Sequence, residues 1–166
     1  MKRFINKVQD ICKKNEKVAM FIDMDGTINE YEVYLEKTVS QQMEDKYMNI
    51  APVQPVINVL NEINNIPNID LYILSLSRTN NLTDKKQLWL EKYVGFIPKA
   101  NWIVITKEND EYTKENRDFI KAIKMKEKLN EYDHLIFLDD DHKILKEASE
   151  MLKEKIDVFH VSSALI

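Results

Sequence analysis

The sequence predicts an α/β fold: a doubly wound parallel sheet of about five strands, with helices on both faces. Three features point there. Short apolar runs of strand length alternate with stretches of helical periodicity, the pattern of βαβ units. The runs are continuously apolar rather than alternating, as strands covered on both faces require. With 166 residues, 44% hydrophobic and 31% charged, the chain suits one domain over 1–166 with its own core. Right-handed crossovers favour the doubly wound arrangement, a Rossmann-like layering.

In chain order, Phe4, Ile5, Val8, Ile11 and Cys12 recur at helical spacing and predict an amphipathic helix over 3–15. KVAMFI (17–22) is a short apolar run that stops abruptly at Asp23, as a buried strand does. Residues 28–51 mix aromatic and charged side chains and predict a small cap insertion. Pro52 and Pro55 open a helix through Val56, Val59, Leu60 and Ile63, since proline suits a first helical turn. IDLYILSLS (69–77) is a second strand, 82–93 a helix closed near Gly95, and NWIVIT (101–106) a third strand. A helix over 116–129, strand HLIFLD (134–139), a helix over 143–153 and strand IDVFHV (156–161) complete the order.

Composition narrows the function. Twenty-four Lys and Arg against 28 Asp and Glu give a net charge of −4, which argues against a nucleic-acid or anionic-membrane footprint. The single cysteine, Cys12, cannot form an internal disulfide. The opening MKRFINKVQDICKKNEK is charged every few residues, without the apolar core of a signal peptide. No segment approaches the roughly 20 apolar residues of a membrane span. A reducing, cytoplasmic location is the expectation. Only two glycines are present, Gly26 and Gly95, so Gly-rich phosphate loops are excluded. Phosphate chemistry here must use side chains, a metal or helix N-termini.

In such a sheet, ligands bind beyond the carboxyl ends of the strands. Asp23-Met24-Asp25-Gly26-Thr27 follows the first strand, and Ser75 and Ser77 end the second. Thr106 and Lys107 follow the third, and Asp139, Asp140 and Asp141 follow the fourth. Three or four carboxylates in a small volume repel one another and raise one another's pKa values. A hard divalent cation relieves that, and an all-oxygen site is the environment Mg²⁺ favours. One carboxylate can then attack phosphorus while a second handles the leaving group's proton. Asp141 also suits the cap of the helix that follows.

FIDMDGT (21–27), Ser75 and LDDD (138–141), in that order, resemble the haloacid dehalogenase (HAD) superfamily of phosphohydrolases, over about 18–161. The resemblance implies a HAD-like fold, Asp23 as nucleophile and Asp25 as general acid/base. It implies Mg²⁺ held by Asp23, the backbone carbonyl of Asp25 and Asp139, with Asp140 in support. Ser75, with Ser77 as its alternative, would bind the phosphate. The superfamily's phosphate-binding lysine belongs at the start of the helix before the fourth strand. Alignment of that helix by its apolar residues favours Lys114, with Lys107 and Lys121 as alternatives. A second acid at the position of Asp25 goes with phosphate transfer, and dehalogenases lack it.

YILSLSRTNN…KKQLWLEKYVGFIPK more loosely resembles the bacterial branch of the 5′(3′)-deoxyribonucleotidase family. The expected activity is therefore a Mg²⁺-dependent phosphomonoesterase acting on a small phosphorylated substrate, with (deoxy)nucleoside monophosphates as the class this looser resemblance implies. Tyr31 and Tyr34 of the insertion offer rings for stacking on a base. The alternatives are a phosphatase for a macromolecular substrate (a polynucleotide end or a phosphoprotein) and a degenerate phosphate-binding module. Lys85-Lys86 and the lysines of 121–128 read as solvated helix faces, and His134, His142 and His160 share no metal-ligand spacing.

Overall fold

The computed structural model describes residues 2–31 and 47–166. Most of the cap insertion expected at 28–51, Tyr34 included, lies outside the described residues. The elements run α1 (Lys2–Lys14), β1 (Val18–Ile22), α2 (Gln54–Ile63), β2 (Ile69–Ser77), α3 (Asn80–Tyr93), β3 (Trp102–Thr106), α4 (Ile120–Glu127), β4 (His134–Asp139), α5 (His142–Leu152) and β5 (Ile156–His160). The strands form one parallel sheet in the order β3-β2-β1-β4-β5. The chain winds outward from β1 through β2 to β3, then returns to the other side of β1 for β4 and β5. The direction reverses between β1 and β4, and this is the switch point at which open α/β sheets bind ligands.

Strand alternation sorts the core into two layers. Val18, Met20 and Ile22 of β1, with Leu71 and Ile73 of β2, face α1, α2 and α3. Ala19 and Phe21, with Tyr72, Leu74, Leu135 and Phe137, face α4 and α5. Phe21 stacks on Tyr72 with ring centroids 5.1 Å apart. Local signals set the helix ends. Pro55 lies in the first turn of α2, the Thr79 hydroxyl caps α3 by accepting from the Leu82 N–H, and Asp141 caps α5 by accepting from Lys143 and Ile144.

One boundary differs from the sequence expectation. The helix expected from 116 begins at Ile120 and ends at Glu127, followed by a 3₁₀ turn over Lys128–Asn130. Asn116 opens it instead as a turn residue: its side-chain carbonyl accepts from the Thr113 N–H at 2.7 Å. Among the described residues, no helix is long and apolar enough to cross a membrane.

Phe21 is fully buried against the α4/α5 layer. Phe21→Ala should therefore lower the unfolding free energy by about 3–5 kcal/mol, read from the urea midpoint at constant m.

Candidate functional site

The acids meet at the switch point because of sheet register. Ile22 pairs with Leu138, so the next residue on each strand, Asp23 and Asp139, lie side by side. The Asp23 N–H closes the ladder by donating to the Leu138 carbonyl at 2.9 Å. Beyond it the chain turns tightly, with the Met24 carbonyl accepting from Thr27, Ile28 and Asn29 at 3.0–3.3 Å. Gly26 occupies this turn at φ +78°, a conformation that L side chains adopt only with strain, and a Cβ there would collide with the Tyr31 ring.

Strand alternation also decides what each side chain meets. Asp23 and Asp139 fall on the α4 side of the sheet, where Lys121 is waiting in the first turn of α4. Its ammonium donates to Asp23 Oδ1 at 2.5 Å and to Asp139 Oδ2 at 2.8 Å, and all three residues are buried. Asp139 also accepts from the Asp141 N–H at 2.8 Å, and the Thr27 hydroxyl donates to Asp23 Oδ2 at 3.3 Å. Burial pushes the Asp23 carboxyl up to about 6, assisted by the charges of Asp139 and Asp25 and opposed by Lys121. Burial alone would lower the Lys121 pKa, but the two carboxylates hold it above the ordinary lysine value.

Asp25 is served from the other layer. Lys86 of α3 donates to Asp25 Oδ2 at 2.7 Å, to the Ser75 hydroxyl at 2.8 Å and to the Leu76 carbonyl at 2.6 Å. The opposite carboxylate oxygen, Asp25 Oδ1, accepts from the Tyr47 hydroxyl at 2.7 Å and from Asn29 Nδ2 at 3.2 Å. Burial, then the charge of Asp25, raises the Tyr47 pKa.

Asp140 forms the outer side of the site. Its carboxylate accepts from the hydroxyl of Tyr31, a residue otherwise 67% exposed at the mouth. Burial raises the Asp140 pKa, with the Tyr31 hydrogen bond acting against it and Asp23 reinforcing it. The His160 ring tethers the backbone of the same residue, Nε2 lying 3.1 Å from the Asp140 carbonyl. His160 Nδ1 accepts from the Ser162 N–H at 3.2 Å, so the proton belongs on Nε2. Oxygens of Asp23, Asp139 and Asp140 lie within 4.8 Å of one another. Three carboxylates against one nearby ammonium leave an excess of negative charge, and this all-oxygen set fits a hard divalent cation. The Asp25 side chain is not part of that cluster.

Of the residues expected at the site, the structure brings together Asp23, Asp25, Ser75, Asp139 and Asp140. Ser77 is buried but turns to the Thr79 carbonyl, to which it donates at 3.1 Å. Lys114 is a correction: it is exposed on the loop before α4, and the lysine at the acids is Lys121. The helix starts four residues later than its apolar spacing implied, so its first turn carries Lys121. Lys107 is likewise exposed. Lys121, one of the alternatives for the phosphate-binding lysine though its helix face was read as solvated, is 2% exposed, and Lys86, expected on a solvated face, is 1% exposed. The signal that could have found Lys86 is its place among Leu82, Trp89 and Leu90, the apolar stripe of α3.

No family model and no curated protein matches the sequence. Among solved structures, the chain is similar to the HAD domain of effector protein Lem4 from Legionella pneumophila. The TM-score is 0.52 at 16% identity, with 87% of each chain covered. An inactive mutant of that domain aligns with a TM-score of 0.53 at 16% identity, over 87% of this chain and 84% of the other. The fold is thus HAD-like.

The raised pKa of Asp23 fixes the sign of a pH effect. Without metal, the folded chain retains a proton between about pH 4 and pH 6 that the unfolded chain gives up. Stability in EDTA should decline as pH rises through that window, and Asp23→Asn should flatten the decline in urea titrations at each pH.

Proposed function

We propose that the protein is a Mg²⁺-dependent phosphomonoesterase that works through an aspartyl-phosphate. The observation that carries this reading is Asp23, a buried carboxylate bonded to Lys121, with Asp139 and Asp140 beside it and Asp25 across the same tight turn. An Asp23 oxygen attacks phosphorus as the bond to the leaving oxygen breaks, and Asp25 gives that oxygen its proton. Asp25, left as a carboxylate, then takes a proton from water, whose oxygen attacks phosphorus and breaks the bond to Asp23, releasing inorganic phosphate and restoring the Asp23 carboxylate and the Asp25 acid. Lys121 faces the developing phosphoryl charge, and the Ser75 hydroxyl, fixed by Lys86, serves a phosphoryl oxygen. Mg²⁺, held by Asp23, Asp139, Asp140 and the Asp25 carbonyl, would supply charge neutralisation for the transferring group.

The substrate class we infer is a (deoxy)nucleoside monophosphate. Two features support it: the W-L-x-K-Y helix following Ser75, which is α3, and the exposed Tyr31 ring at the mouth. The retained second acid, Asp25, supports turnover over phosphate binding alone. It is the group that an oxygen leaving group needs.

Purified protein incubated with nucleoside 5′- and 3′-monophosphates and simple alkyl phosphates should release phosphate with Mg²⁺ and none with EDTA. Asp23→Asn should lower kcat by at least about 1,000-fold. Absence of release from every substrate while Mg²⁺ still binds would overturn the reading. Mg²⁺ at tenfold its Kd should stabilise the fold by about 1.4 kcal/mol, and Asp139→Asn should abolish that gain in thermal melts.

A further inference from the structure

Lys86 takes no part in the chemistry just described beyond fixing the Ser75 hydroxyl, yet it is among the largest fully buried side chains. A buried ammonium is costly unless its hydrogen bonds are satisfied, so its contacts show what it is there to hold. Those contacts join two separate pieces of chain: the Asp25 carboxylate in the turn after β1, and the Ser75 hydroxyl with the neighbouring Leu76 carbonyl in β2. Asp25 lies on the turn that follows β1, three residues past the last residue of the strand, with its side chain 25% exposed. A carboxylate on such a turn has rotamer freedom, and a proton donor displaced by about 1 Å forfeits much of its effect. The Lys86 ring contact, 5.4 Å from the centroid of Tyr47, places ammonium and phenol together around the same carboxylate.

We propose that Lys86 is a positioning residue: it locks Asp25 in the orientation from which Asp25 protonates the leaving oxygen, and it sets the distance from Asp25 to Ser75. The assignment rests on the phosphatase reading above. It gives the two buried lysines different tasks. Lys121, from the α4 layer, serves Asp23 and Asp139, whereas Lys86, from the α3 layer, serves the proton-transfer group.

The test exploits leaving groups. An alkoxide must be protonated as it departs, whereas p-nitrophenolate departs as a stable anion without help. Lys86→Met, Asp25→Asn and the double variant are compared with wild type on a nucleoside 5′-monophosphate or an alkyl phosphate, and on p-nitrophenyl phosphate. First-turnover release is followed, because Asp25 also acts in the later hydrolysis step. Lys86→Met frees Ser75 as well as Asp25, so both substrates should slow, but first-turnover release from the alkyl substrate should fall at least about 30-fold further than the nitrophenolate burst. In the Asp25→Asn background the difference between the two substrates should shrink to less than about twofold, leaving only the loss common to both that passes through Ser75. Equal losses on both substrates, or a substrate-selective loss that persists in full in the Asp25→Asn background, would overturn the assignment and leave Lys86 a phosphate-binding or purely structural residue. Should Lys86→Met fail to fold, Lys86→Gln, shorter and uncharged, cannot serve Asp25, Ser75 and Leu76 together and gives the same comparison. If wild type releases neither alcohol nor nitrophenolate while Mg²⁺ binds, the phosphatase reading itself fails and the assignment with it.

Discussion

Two carboxylates on adjacent strands, Asp23 and Asp139, share the end of a parallel sheet because Lys121 sits between them. Withdrawing either acid from water alone costs several kcal/mol, and leaving one of a buried set unpaired costs about 3–5 kcal/mol. The lysine resolves this by bonding both at once, at 2.5 and 2.8 Å. Much of the surrounding structure follows from that bridge. α4 has to begin where Lys121 falls in its first turn, and the register of β1 and β4 has to keep the two acids level. Asp140, one residue further, is then carried to the rim, where Tyr31 and His160 anchor its side chain and backbone.

The two helical layers contribute unequally in kind but evenly in number. α4 sends one buried ammonium to the acids at the strand ends, and α3 sends one to the acid on the turn. Each charge is matched by acceptors supplied from a different part of the chain, so the helices are tied to the sheet by polar contacts as well as by the apolar core. Such contacts are specific in direction, where hydrophobic packing is not. They hold side chains in place at the carboxyl end of the sheet, where the acids lie.

Much of the fold was legible in the sequence because continuous apolar runs and helical periods are local signals. β2 and β4 fall where IDLYILSLS and HLIFLD do. The acids of the site were legible because their positions immediately after those runs are also local. The lysines were less so: Lys121 was one of three candidates and not the favoured one, and Lys86 was not a candidate. Charge in a helix reads as solvent exposure, and both Lys86 and Lys121 lie on faces their helices bury. What distinguishes them is an acceptor 61 or 98 residues away along the chain, which periodicity cannot register. The start of α4 was misplaced for a related reason: Phe119 and Ile120 continue an apolar spacing that the Asn116 turn interrupts. Tyr47 escaped notice because the partner of its hydroxyl lies 22 residues earlier.

The ladder that ends with the Asp23 N–H on the Leu138 carbonyl makes β1 a ruler as well as a wall. Side chains in a strand change face with every residue, so adding or deleting one within Val18–Ile22 would turn Asp23 away from Lys121 and present a neighbour in its place. The same holds for β4 and Asp139. Divergence within this fold is therefore channelled: strand composition can drift while strand length cannot, and lengthening must occur in the connections. In any lineage that keeps the chemistry, the residue count from the first apolar position of β1 to its acid should be more durable than the identity of any residue between them.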